Sequence, residues 1–290
     1  MKSWFNIFIY ISLAFLIFYL YQNNFLIIPR VNSASLLLLS IMLLSAGFLL
    51  NVKAWQALLK SNDSEVSYSK AVTSIGLSIF GKYIPGKIWI LFGRALYIAD
   101  KEGDSILKIT TISFLGQAIS IITGVLMGSV VLWYYMNNWF LIIFFINIGI
   151  LLIIISPFTK LLSEKIYFLP KGQQAIQLLG PHLIKALPWF IFFWACWGLG
   201  FYSMVGSLTY VTTWTVAPMF ILSGTAGILV FFVPGGIGVR EGALYFFLLK
   251  SGYSVEMATT IAVGSRLWFL VGEIFIFCCG FLASIQKGIK

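Results

Sequence analysis

Seven ionisable side chains lie within stretches of this sequence that are otherwise apolar. A charged group is costly in an apolar environment unless it is paired or serves a function, so these positions are the first candidates for chemistry. The planar guanidinium fork of arginine fits two oxygens of a phosphate. The set indicates the binding of an anion, and it comprises Lys82, Lys87, Arg94, Arg240, Glu241, Arg266 and Glu273.

Arg240 and Glu241 follow the sequence Pro-Gly-Gly-Ile-Gly after one residue, Val239. One hypothesis makes Arg240 a phosphate-binding cation, with Glu241 setting its geometry or taking up a proton. The alternative is structural, and the two residues then pair with Glu273 and Arg266 of the last apolar stretch. Those two are about 10 Å apart along a helix, so we expect each to meet a group from another segment.

Lys87 and Arg94 have the same seven-residue spacing and can share one helix face. They could form a basic vestibule for an anionic lipid head, or they could snorkel to the headgroups. We expect Lys82 to snorkel. Asn51 and Gln117 lie in apolar runs, where hydrogen bonds between helices are the expected role.

The composition defines the class of protein. Of the 290 residues, 60% are hydrophobic and 10% are charged, whereas a soluble domain has about 25% charged residues. The sequence therefore predicts an all-α, polytopic integral membrane protein with one transmembrane domain over residues 1–290. The single histidine, His182, lies in a polar connector, and neither a metal site, a cofactor site nor an enzyme is predicted.

Apolar runs predict about six full membrane spans. Two further apolar segments, Ala71–Ala99 and Ala217–Leu249, contain Pro-Gly sequences and are predicted to be re-entrant helical hairpins, which gives eight if they are counted as spans. The six spans are Phe5–Tyr21, Ser35–Val52, Ile109–Met136, Trp139–Phe158, Leu187–Leu208 and Thr259–Ser284.

The net charge of +10 is explained by orientation, so nucleic acid is not an expected partner. With both termini cytoplasmic in the cell membrane, only Arg30 and Lys250 fall in outer loops, as the positive-inside rule requires. The inner loops then hold Lys2, Lys53, Lys60, Lys70, Lys101, Lys108, Lys160, Lys165, Lys171, Lys185, Lys287 and Lys290. This arrangement requires the two hairpins to enter from opposite faces.

The two hairpins also resemble each other. The sequence IPGKIWILFGRALY (84–97) aligns with VPGGIGVREGALY (233–245). This predicts an inverted repeat over about residues 35–136 and 187–284, with a site near the midplane of the membrane. Proline and glycine can break each helix there, and the predicted hinge residues are Pro85, Gly86, Pro234, Gly235, Gly236 and Gly238.

Three motifs, GKYIPGKIW, VPGGIGVREGAL and SRLWFLVGE, resemble the lysylphosphatidylglycerol synthase transmembrane (flippase-like) family. The resemblance implies a membrane region that moves lipids between leaflets, notably aminoacylated phosphatidylglycerol. Some members add a soluble aminoacyl-transferase domain. This sequence stops at Lys290 without one, so a stand-alone membrane module is expected, and lipid synthesis is not.

The expected function is translocation of an anionic phospholipid or lipid-linked phosphate between leaflets. Two alternatives stay open: a membrane-embedded lipid-modifying enzyme, and a non-transporting partner of envelope polysaccharide or glycosyltransferase machinery. The candidate partners are the anionic membrane lipid, a second copy of the chain in a homodimer, and envelope-biosynthesis enzymes.

Overall fold

The computed structural model describes residues 31–84, 88–136, 138–157, 178–209, 212–230 and 233–288. Within these ranges every regular element is helical, which confirms the all-α prediction. The α-helices are α1 (Ala34–Ser61), α2 (Tyr68–Ser78), α3 (Ile88–Glu102), α4 (Ile106–Gly128), α5 (Val130–Met136), α6 (Asn138–Ile155), α7 (Leu187–Leu208), α8 (Val216–Leu229), α9 (Val239–Lys250) and α10 (Val255–Gly288). Short 3₁₀ helices occupy Ile79–Tyr83, Pro181–Lys185 and Pro234–Gly236.

Four helical stretches in the described ranges are long and apolar enough to cross a bilayer: Ala34–Ser61, Ile106–Trp133, Pro181–Leu208 and Val255–Ile285. They agree with four of the six predicted spans. Helix α6 corresponds to a fifth, and the first, Phe5–Tyr21, lies outside the described residues. The chain is thus a multi-pass membrane protein, while the full number of spans stays a prediction.

The helix is broken in both predicted hairpins. Helix α2 passes into a 3₁₀ turn that ends at Tyr83, and Ile84 is extended (φ −74°, ψ 134°), which is the conformation favoured before a proline. Pro85, Gly86 and Lys87 lie outside the described residues. The arms α2, α3, α8 and α9 have 11, 15, 14 and 12 residues, fewer than the roughly 20 needed to cross a bilayer.

The helices pack in a pattern that brings the two halves together. Helices α1 and α7 form the most extensive contact. The first arm of each hairpin packs on the last long helix of the other half, α2 on α10 and α8 on α4. Each second arm packs on its own first arm and on the helix that follows it, α3 on α2 and α4, and α9 on α8 and α10.

Glycines allow these crossings to be close. A Cβ atom added at Gly128 of α4 would lie 2.7 Å from the backbone nitrogen of Leu222 in α8, and one added at Gly76 of α2 would lie 2.9 Å from the Cα atom of Gly280 in α10. Close backbone approach of this kind is typical of helices packed within a membrane. It fixes both hairpins against long helices.

Candidate functional site

The second break is held in a conformation that only glycine adopts readily. Gly235 and Gly236 have φ angles of 59° and 70°, in the left-handed region. The Gly236 backbone packs against Gly227 of α8, and a Cβ atom added at Gly236 would lie 2.7 Å from the carbonyl oxygen of Gly227. Helix α9 then begins after Gly238, whose N–H donates to Glu241 Oε2 at 2.7 Å. The Pro-Gly-Gly-Ile-Gly sequence therefore sets the position and direction of the first turn of α9, which carries Arg240.

Arg266 of α10 connects the second break to the first. Its Nη1 donates to the carbonyl oxygen of Gly235 at 3.1 Å and lies 3.8 Å from Glu241 Oε1. Its guanidinium carbon lies 5.2 Å from the centroid of the Tyr83 ring in the first hairpin. The predicted partnership of Arg266 with Glu241 is confirmed, and the two breaks meet at this arginine.

Glu273 lies two helical turns after Arg266 on α10 and binds the first hairpin. Its carboxylate is 1% exposed. It accepts a hydrogen bond from the Tyr83 hydroxyl at 2.8 Å and forms an ion pair with Lys82. The expectation that Lys82 snorkels is wrong, because the 3₁₀ turn directs its ammonium to a buried carboxylate that neutralises it.

Arg240 packs against two neighbouring aromatic rings. Its guanidinium carbon is 4.6 Å from the ring centroids of both Phe220 and Phe269, an arrangement stabilised by cation–π attraction. The residue is 6% exposed, and its Nε and Nη2 atoms have no hydrogen-bond partner in the described part of the chain. The structural alternative is therefore half right. Glu241 pairs with Arg266, but Glu273 pairs with Lys82, and no ion pair between described residues includes Arg240.

Arg94 is the second cation without a carboxylate. Its guanidinium lies over the Trp55 ring at 5.5 Å. None of the ion pairs between described residues includes it, and its buried Nε has no partner there. Lys87, predicted to share its face, lies outside the described residues.

Several of these groups line one cavity of about 200 Å³. It lies where the two hairpins meet α1, α4, α7 and α10. The cations on its wall are Lys82, Arg94, Arg240 and Arg266. Six of the seven ionisable residues singled out from the sequence thus lie at the cavity or pair with a residue that lines it.

Asn51 and Gln117 also line the cavity. Their expected hydrogen bonds to neighbouring helices stay a prediction. Sequence analysis also missed Tyr83 and the aromatic partners of the arginines. Tyr83 follows Lys82 directly and could have been noticed there, whereas Trp55, Phe220 and Phe269 look like ordinary apolar positions.

The fold and the site define a multi-pass membrane protein with a cation-lined cavity between two broken helices. The family described as the lysylphosphatidylglycerol synthase transmembrane region matches residues 4–276, and the chain belongs to that family. This makes it a membrane module related to lipid biosynthesis or translocation. Comparisons with curated proteins and with solved structures find no match for the chain.

Proposed function

We propose that this protein moves a lipid with an anionic, phosphate-bearing head between the two leaflets of the cell membrane. The observation that carries the proposal is Arg240, a buried cation on the cavity wall with unpartnered guanidinium nitrogens. A buried polar group without a partner is unusual in a folded protein and calls for an explanation such as a missing ligand. A phosphate supplies negative charge and several acceptor oxygens to such a group.

The broken helices support a path for the head through the membrane. Irregular backbone at membrane depth is tolerated where it is buried in protein or lines a wet cavity, and Gly235 of the second break lines this one. Helix α9 also begins here, and its N-terminus adds partial positive charge. In this proposal the head occupies the cavity while the hydrocarbon chains stay in the surrounding lipid.

An inverted repeat would give the two hairpins equivalent roles on opposite faces. The packing pattern supports it, because exchanging α1 with α7, α2 with α8, α3 with α9, and α4 with α10 leaves the principal helix contacts unchanged. The sequence adds support, because three matching pairs are separated by the same number of residues. The pairs are Ser74 and Ser223, Pro85 and Pro234, and the Thr-Thr-Ile sequences at 110–112 and 259–261. Alternating exposure of one site to the two leaflets is the use that transporters make of such repeats.

The distribution of lysines supports an orientation with both termini in the cytoplasm. In this orientation the loop of residues 62–67 faces inward and the loop of residues 251–254 faces outward. Single cysteines introduced at the exposed positions Glu65 and Ser254 of a cysteine-free variant test it. We expect a membrane-impermeant maleimide to label only the second in intact cells.

A lipid-flipping assay tests the function. The purified chain is reconstituted into vesicles with fluorescent phosphatidic acid or phosphatidylglycerol, and the fraction of label protected from an impermeant quencher is followed in time. We expect movement of at least one anionic lipid above the protein-free rate, and an at least tenfold loss on Arg240→Gln, as expected for one charge-assisted contact.

The matched control is Lys250→Gln, which removes a cation from the far end of the same helix, about 15 Å away. Lys250 is exposed, and we expect its variant to keep the wild-type rate. Equal rates for wild type and Arg240→Gln would remove the proposal. Hydrolysis of lipid phosphate in detergent, abolished by Glu241→Gln, would instead favour an enzyme.

A further inference from the structure

Among the described residues, the cavity carries two more positive charges than the nearby carboxylates neutralise. Lys82 pairs with Glu273, and Arg266 pairs with Glu241. Arg94 and Arg240 have no such partner among the ion pairs of the described residues. The described side chains on the cavity wall include four cations and no carboxylate.

The unpartnered buried atoms on the cavity wall point to the same kind of ligand. Within the described ranges, Arg94 Nε, Arg240 Nε and Nη2, and Trp197 Nε1 lack hydrogen-bond partners. All of these atoms are N–H donors. The amides of Asn51 and Gln117 add both donors and acceptors at the wall. The wall therefore offers a surplus of donors, and a ligand that satisfies it is rich in acceptor oxygens.

Net charge decides which kind of head the cavity favours. Glu273 pairs with Lys82, and Glu241 lies 3.8 Å from Arg266, although its Oε1 has no hydrogen-bond partner in the described ranges. Arg94 lies over Trp55, and Arg240 contacts Phe220 and Phe269, whereas the cation–π contacts of the described residues do not include Trp194 and Trp197 of the wall. The excess of cations thus favours a head with net negative charge.

We propose that the ligand of this cavity is a lipid whose head carries two negative charges, balanced by Arg94 and Arg240. This inference rests on the proposed function, which makes the ligand a lipid phosphate, and it adds the charge and the two residues that select it. The two chemical sources are a phosphomonoester in its dianionic form and a diphosphate diester, which has one charge on each phosphate. A phosphodiester has one charge and leaves one arginine unneutralised.

A binding experiment on the purified full chain in detergent tests the proposed preference for two negative charges, called the charge rule below, separately from transport. The probes are phosphatidic acid, CDP-diacylglycerol as the diphosphate diester, phosphatidylglycerol and phosphatidylcholine, all with matched acyl chains. Intrinsic tryptophan fluorescence is the readout, because Trp55, Trp194 and Trp197 line the cavity. At about pH 8 a phosphomonoester is mostly dianionic, since its second pKa is about 6.

We expect the phosphomonoester, the diphosphate or both to bind at least about tenfold more tightly than phosphatidylglycerol, with phosphatidylcholine weakest. Arg94→Gln and Arg240→Gln should each remove about tenfold of the affinity for the doubly charged probe. Arg94→Lys and Arg240→Lys keep the charge and should keep most of the preference. Lys250→Gln should bind as the wild type does. The two doubly charged probes then identify the source.

Equal affinity for phosphatidylglycerol and both doubly charged probes would overturn the inference, and so would an Arg94→Gln variant that keeps the preference. If a glutamine variant does not fold, the order of the four probes on the wild-type protein decides alone. Selective binding without lipid movement in vesicles would contradict the proposed function but not the charge rule. Movement of phosphatidylglycerol as fast as phosphatidic acid would contradict the charge rule but not the proposed function.

Discussion

The ion pair between Lys82 and Glu273 holds the first hairpin to α10, and removing one partner should be more harmful than removing both. Glu273→Gln leaves the Lys82 ammonium without a counter-charge. Lys82→Gln leaves a carboxylate that is 1% exposed with only the Tyr83 hydroxyl to solvate it. In the double variant two neutral amides can hydrogen-bond to each other, and no charge remains to be neutralised.

Breaking a buried ion pair costs about 3–5 kcal/mol, whereas replacing both partners is often nearly neutral. The Lys82 side chain is 18% exposed, so we take the lower end, about 3 kcal/mol, for Glu273→Gln. We allow a cost of about 1 kcal/mol for the double variant. The sum of the two single costs then exceeds the cost of the double variant by several kcal/mol, and this difference is the coupling free energy. With roughly 2–4 °C per kcal/mol in a chain of this size, Glu273→Gln should lower Tm by about 6 °C or more.

Thermal unfolding of the four proteins in one detergent measures this coupling. The control is Glu65→Gln, which breaks the exposed pair of Lys60 and Glu65, with side chains 67% and 78% exposed, and should cost about 0–1 kcal/mol. A double variant whose Tm loss equals the sum of the two single losses would show that the residues do not interact. That result would refute the contact between the first hairpin and α10.

Three further changes test the packing and the site. Gly235→Ala should lower Tm by several degrees, because the position has a φ of 59° and an added Cβ would lie 2.6 Å from a side-chain nitrogen. The control is Gly242→Ala, which has open space around it and should be neutral or slightly stabilising. Equal effects of the two changes on Tm would contradict the geometry of the break. Gly76→Ala should also destabilise, since its Cβ would meet the α10 backbone, while Gly149→Ala on α6 should not. Arg240→Gln should lower Tm by no more than about 2 °C while it stops lipid movement, because it removes a buried cation without a partner; a large loss of Tm would make Arg240 structural.

The breaks could be predicted from sequence because proline and glycine act on their own backbone. The conformations of Ile84 and Gly235 follow from local rules, and so does the start of α9 at Val239. The spacing of Arg266 and Glu273 also sufficed to show that they do not satisfy each other. These are properties of short segments, and no knowledge of the packing is needed to infer them.

The partners of the charges depend on packing and could not be predicted in this way. Lys82 and Glu273 are separated by 191 residues, and their pairing depends on the rotation of a 3₁₀ turn against α10. Asn51 and Gln117 line a cavity, and an apolar run in the sequence does not indicate that position. The number of compensating carboxylates, and with it the excess charge of the cavity, becomes visible only when the helices are packed.

An experimental structure of the chain in lipid nanodiscs that contain phosphatidic acid and phosphatidylglycerol tests the central claim most directly. The account predicts density for a phosphate between the two breaks, within hydrogen-bond distance of the Arg240 guanidinium, with the acyl chains leaving toward the lipid. A structure in which a protein carboxylate neutralises Arg240 and no lipid head enters the cavity would contradict it.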